Sequence, residues 1–189
     1  MLDATHMNRD DQQRRRAKQI ILEITKQSSG NECAGNVRLF KIFYFAHLVY
    51  ARHETGYLSE WPIVKMPYGP GIDRFEEIIG ELTREGAIQQ ESTQIGPYPA
   101  TSFRATDKPA EGPPLEPAAI EAIRKAVEFT SDKTGAQLSD ITHEHSHSWS
   151  EAEMGGELNI YIDLVSSKER QRVQESVSGA AAAINEAWK

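Results

Sequence analysis

Cysteine is all but missing from this chain of 189 residues: Cys33 stands alone. No disulfide can close within it, which fits a reducing cytoplasm. No base can be assigned beside Cys33, so it reads as a small residue ahead of a helix rather than as a nucleophile. Long apolar runs are missing too. The strongest, LFKIFYFAHLVYA at 39–51, is too short and too interrupted to span a bilayer, and no charged-then-apolar leader is seen, so no membrane role or secretion is expected. Positive charge is scarce: 21 Lys and Arg against 28 Asp and Glu give a net charge of −7. That disfavours non-specific nucleic-acid binding, which needs a cationic face, and suits a basic partner. Arg14-Arg15-Arg16 with Lys18 is a local run that reads as the solvated face of a helix. Neither G-x-x-x-x-G-K-[ST] nor G-x-G-x-x-G occurs, and no Ser/His/Asp arrangement emerges from spacing, so no cofactor is expected.

What is present is mostly helix. Residues 1–11 lack apolar periodicity and are expected to be a disordered extension. From Gln12, Ala17, Ile20, Ile21 and Ile24 fall on one helical face, closed by Ser28-Ser29-Gly30. Residues 36–55 are apolar nearly all round, which predicts a central helix packed on several sides. His47 and His53 ride on it. The stretch YLSEWPIVKMPYGPGI (57–72) carries two Xaa-Pro steps and Gly69-Pro70-Gly71, so it should be extended and then turn sharply. Ile72, Phe75, Ile78, Ile79 and Leu82 mark the next helix. A β-hairpin with a Gly-Pro tip follows over about 88–106, the order seen in a winged helix. After the Pro-rich loop DKPAEGPPLEP, Ile120, Ile123 and Val127 mark a helix over 117–131, and Gly135 breaks the chain before AQLSDITHEHSHSWSEAEMGG. An Ala-rich helix is expected over 169–189. The fold class is mainly α (α+β): a single helical domain over 12–155 with a short winged-helix-like hairpin, and a helical extension over 156–189 packed on it.

One stretch invites a metal. His143-Glu144-His145-Ser146-His147 satisfies H-E-x-x-H, which on a regular helix places two histidines one turn apart beside a glutamate base, as in a zinc-dependent hydrolase. Zincin helices are buried and apolar, whereas Ser146, Ser148 and Ser150 make this segment a poor helix. In extended form His143, His145 and His147 would share one strand face and could take adventitious Zn²⁺ or Ni²⁺. The favoured reading has no metal: Thr142-His143 ends a helix, His143 caps or bridges, and Trp149 anchors the next segment in the core. Tyr68-Gly69-Pro70 has two compatible readings. It is a turn that needs Gly69, and it is a device that presents Tyr68 and nearby Trp61 to a partner.

Three stretches resemble the Panacea domain, the SocA-like antitoxin family. VRLFKIFYFAHLVYARHETG matches its L-x-K-L-L-Y-x-A helix through Leu39, Lys41, Ile42, Tyr44 and Ala46. WPIVKMPYGPGIDRFEE matches P-I-x-A-x-x-Y-G-P-V through Pro62, Ile63, Tyr68, Gly69 and Pro70. GAQLSDITHEHSHSWSEA matches L-S-x-x-T-H-x-x-x-x-W-x-x-A through Leu138, Ser139, Thr142, His143, Trp149 and Ala152. Order and spacing agree over about 15–155. Ser148 stands where the family often has proline, and the segment after Gly155 does not align. The resemblance implies a non-enzymatic, cytoplasmic protein of bacteria or phages. Its partner would be a cognate toxin encoded beside it, neutralised by direct contact, with a homodimer also open. Residues expected to serve fold or interface are Tyr44, His47, Trp61, Tyr68, Gly69, Pro70, His143 and Trp149. A winged-helix DNA-binding regulator is the first alternative and the zinc hydrolase the second.

Overall fold

The computed structural model describes residues 4–29, 32–166 and 168–169, with side chains from residue 9 onward. Helix α1 spans Ala4–Gln27, and strand β1, Glu32–Ala34, leads into α2, Asn36–His53. A hairpin of β2, Ile63–Met66, and β3, Gly69–Ile72, precedes α3, Phe75–Arg84. The long hairpin β4–β5, Ile88–Ile95 and Tyr98–Ala105, is followed by α4, Pro117–Thr130, α5, Gly135–His145, the short α6, His147–Glu151, and a 3-10 turn, Ile160–Leu164.

As its composition requires, α2 is central: Leu39, Ile42, Phe43 and Ala46 are fully enclosed, with α1, α4 and α5 packed around them. Ile20, Ile21 and Ile24 of α1 and Ile78, Ile79 and Leu82 of α3 close the same core. Helix α1 begins at Ala4, well before the apolar pattern starts, so residues 4–11 are helical rather than a disordered extension. Two contacts hold this polar first part. Arg9 pairs with Glu60 at 2.8 Å, and Asp10 meets Arg74 at 3.4 Å.

The strands depart from expectation in instructive ways. Residues 32–34 form a strand rather than a lead-in, pairing Cys33 with Phe103 in a sheet ordered β1-β5-β4. In the long hairpin the ladder runs to Ile95 opposite Tyr98, leaving a two-residue Gly96-Pro97 turn. The β2–β3 turn falls at Pro67-Tyr68, with Met66 opposite Gly69, so Gly69-Pro70-Gly71 is a strand and not the turn. Pro70 is tolerated there because, among the described residues, β3 has no second neighbour to receive its missing N–H. Residues 155–158 run along the free edge of β2: Gly155 N donates to Lys65 O at 2.9 Å and Leu158 N to Ile63 O at 2.7 Å. Leu158 and Ile160 then enter the core. Gly135 opens α5 instead of breaking the chain, because Thr134 and Gln137 form a reciprocal capping box ahead of it. The helix expected over 169–189 lies outside the described residues, apart from its first residue.

A candidate interaction site where three stretches meet

Lys41 is the one charged residue inside the otherwise apolar stretch of α2 from Leu39 to Ala46, and it is 1% exposed. Its ammonium donates to the carbonyl of Tyr68, on the β2–β3 turn. Burial lowers its pKa to about 7, because a charged amine loses its hydration there. Gly69 lies against the same group. Its φ of +103° suits glycine, and a Cβ at this position would overlap both Lys41 Nζ and Thr142 Oγ1. The turn of the second stretch is thus clamped between the helix of the first and α5 of the third.

The third stretch closes the arrangement from outside. Trp149 is half-buried, and its Nε1 donates to Met66 O at 2.9 Å. The His143 ring stacks on the indole at 4.1 Å with planes 14° apart, and Lys65 Nζ lies 4.5 Å from the ring centroid. His143 stacks by its ring face, where the sequence suggested capping or bridging through its nitrogens, and α5 continues two residues past it to His145. Tyr68 points away from this assembly and is 67% exposed.

The helix break that brings Trp149 to His143 has its own support. Ser146, at φ −91° and ψ 104°, ends α5 and caps α6, accepting from Trp149 N at 3.2 Å. Asp163 accepts four hydrogen bonds here: from Ser146 Oγ at 2.9 Å, Ser148 N at 2.9 Å, Ser148 Oγ at 2.7 Å and Tyr44 Oη at 2.8 Å. Burial first, and then the Asp163 charge, raise the Tyr44 phenol far above its ordinary range. Ser148 supplies an N–H here that a proline could not.

Two of the remaining expected residues, His47 and Trp61, are buried. His47 is 1% exposed; its Nδ1 donates to Phe43 O and its Nε2 accepts from Ser59 Oγ, both at 2.8 Å. The carbonyl can only accept, which fixes this tautomer, and burial lowers the pKa to about 4, so the ring is neutral. Trp61, for which both fold and interface were open, is 3% exposed. Its Nε1 donates to Asp73 O at 2.9 Å, and the Arg74 guanidinium lies 4.4 Å from its ring centroid. Cys33 is buried, which pushes its thiol up to about 11. The H-E-x-x-H reading fails on geometry. His143 lies on α5 and His147 on α6, with the break between them, so no single helix or strand carries the histidines. Among the described residues no three His, Cys, Asp or Glu are placed to hold a metal ion.

This clamp uses residues from all three sequence stretches, and a model of one protein family spans it. The family is described as antitoxin SocA-like, Panacea domain, and it matches residues 39–150. The chain belongs to this family. No curated protein and no solved structure matches the chain. The matched segment begins two residues before Lys41 and ends one residue after Trp149, so the whole clamp falls inside it. Asp163 falls outside, in the part that did not align, and nothing in the sequence marked it out. Lys65 was missed as well. Lys41 had a signal, a lone charge on an apolar helix, which points to a buried ammonium needing an acceptor.

Proposed function

We propose that this chain is the antitoxin of a bacterial or phage two-gene module, and that it neutralises its toxin by direct contact, without catalysis, in the cytoplasm. The Panacea match supports a toxin–antitoxin role. The observation that favours contact is the convergence of the three family-bearing stretches. They spend a buried lysine, a glycine without room for a Cβ and a stacked indole on fixing one short turn, whose outermost side chain is the exposed Tyr68. A rigid aromatic on a preorganised turn loses little entropy on binding, which is what a contact anchor needs. Tyr44, His47, Trp61, Gly69 and Pro70 belong to the scaffold in this reading. Tyr68 and the outer face of His143 belong to the interface.

A DNA-binding wing has less support. The only cation on the β4–β5 hairpin is Arg104, held at 2.7 Å by Glu32. No helix among the described residues is long and apolar enough to cross a membrane.

The test is co-expression. The protein encoded by the adjoining reading frame is expected to arrest growth alone, and growth should return when this chain is supplied. The two should co-purify as a complex. A neighbouring product that is harmless, or toxic but neither rescued nor bound, removes the antitoxin reading for this member.

A further inference from the structure

We infer that the surface around Tyr68 docks a basic segment of its protein partner, an exposed stretch rich in Arg and Lys. The inference rests on the antitoxin reading above and adds the chemistry of the contact.

The surface is first of all apolar and aromatic. Tyr68 and Met154 are 67% and 63% exposed, and the flat His143–Trp149 stack lies between their segments. Backbone bonds tie the pieces together. Trp149 Nε1 reaches Met66 O at 2.9 Å, and Gly155, next to Met154, donates to Lys65 O at 2.9 Å. Exposed side chains on such a fixed frame make a contact surface more readily than a solvated loop does.

The charge around this patch identifies the occupant. Residues 134–167 contain six acidic residues and no Lys or Arg. One of the six, Asp163, is turned inward onto Ser146, Ser148 and Tyr44. The other five, Asp140, Glu144, Glu151, Glu153 and Glu157, are exposed. Glu144 lies 3.8 Å from His145, and among the described residues no Lys or Arg pairs with any of the five. Asp140, His143 and Glu144 share one helical face at i, i+3, i+4, so two carboxylates flank the stacked imidazole. Glu151 and Glu153 bracket Ala152, whose carbonyl binds Lys65 Nζ at 2.9 Å. That lysine is turned inward over Trp149. Several acids elsewhere do have such partners: Glu81 with Arg14, Glu116 with Arg16, Glu32 with Arg104.

An uncompensated acidic rim around an open tyrosine ring suits guanidinium and ammonium groups. They can stack on Tyr68 and pair with the surrounding carboxylates. A second copy of this chain would bring the same negative rim to the contact, so the geometry disfavours self-association here.

The experiment uses the full chain and, as probe, the purified product of the adjoining reading frame, with affinity and association rate measured by interferometry. The expected wild-type complex weakens about tenfold or more between 50 and 300 mM NaCl, chiefly through its association rate. Glu151→Lys with Glu153→Lys should weaken it at least about thirtyfold, and Tyr68→Ala about tenfold, while Tyr98→Ala at the β4–β5 tip, outside the patch, changes nothing. Should the double reversal not fold, judged by circular dichroism, Asp140→Asn with Glu151→Gln and Glu153→Gln replaces it, with a several-fold loss expected. Full affinity in the charge variants overturns this inference and leaves the antitoxin reading standing. No complex with the wild-type chain overturns both. A homodimer abolished by Tyr68→Ala also overturns it, because the face would then be self-complementary.

Discussion

Replacing Lys41 with Met tests the buried centre of the clamp. Methionine keeps the length of the side chain and removes its charge. Lys41 in the folded chain has a pKa of about 7, against an ordinary value of 10.5. The unfolded chain therefore holds a proton on this amine over the whole interval in which the folded one gives it up. Stability rises with pH wherever the unfolded state binds more protons, so this residue weakens the fold below pH 7 and the penalty fades as pH climbs towards 10.5. At about 1.4 kcal/mol per unit, the wild-type chain should gain about 3 kcal/mol from this group alone between pH 7 and pH 9.5. The Met variant has no such gain, and groups common to both cancel in the difference. It does forfeit the bond to Tyr68 O, a cost of about 1 kcal/mol. At pH 7 the variant is then expected to be the more stable, by about 2–4 kcal/mol, as when hydrophobic residues replace buried ions. Urea denaturation of both proteins at half-unit steps from pH 6.5 to 9.5 measures this directly. Parallel stability curves would refute the reasoning, because they would mean the ammonium is not desolvated.

Three further outcomes follow from the same contacts. Gly69→Ala should destabilise by about 3 kcal/mol or more, seen in the urea midpoint, since the Cβ overlaps Lys41 and Thr142 and φ is unfavourable for an L side chain. His47 has a folded pKa of about 4 against 6.5. It contributes stability that is full above pH 6.5 and is lost as pH falls towards 4. The wild-type chain should lose about 2 kcal/mol more than His47→Asn between pH 7 and 4.5, by urea titration at each pH. Asp163→Asn leaves one acceptor oxygen where four donors converge and should cost about 2–4 kcal/mol in thermal unfolding, with loss of the near-ultraviolet dichroism of Trp149.

Where side-chain spacing carries the information, the sequence was readable. Ala17, Ile20, Ile21 and Ile24 placed the buried face of α1, and the all-round apolar pattern of α2 made it central, as it is. Composition misled where a residue's role depends on what packs against it. Gly69-Pro70-Gly71 has the makeup of a turn and lies in a strand, where Lys41 and Thr142 leave no space for a Cβ at 69 and Met66 leaves none at 71. Gly135 looks like a breaker and starts a helix, because Thr134 and Gln137 cap it. Tyr68 and Trp61 were indistinguishable as loop aromatics. Two arginines and a backbone carbonyl enclose Trp61, whereas Tyr68 has only its carbonyl held. Strand β1 is three residues long, too short for any period to register.

The histidine-rich segment shows how one break decides between two chemistries. At 100° per residue, an unbroken helix would bring His143 and His147 within about 40° of one another, as a zinc site requires. It would also put Trp149 about 240° around from His143, out of stacking range. The observed stack at 4.1 Å therefore requires the helix to stop between them. Ser146 stops it, and the four bonds to Asp163 hold the new direction. The same break turns Trp149 Nε1 onto Met66 O, one residue before the Pro67-Tyr68 turn. The acid at 163, outside the family match, thus fixes the helix that braces the turn from which Tyr68 projects.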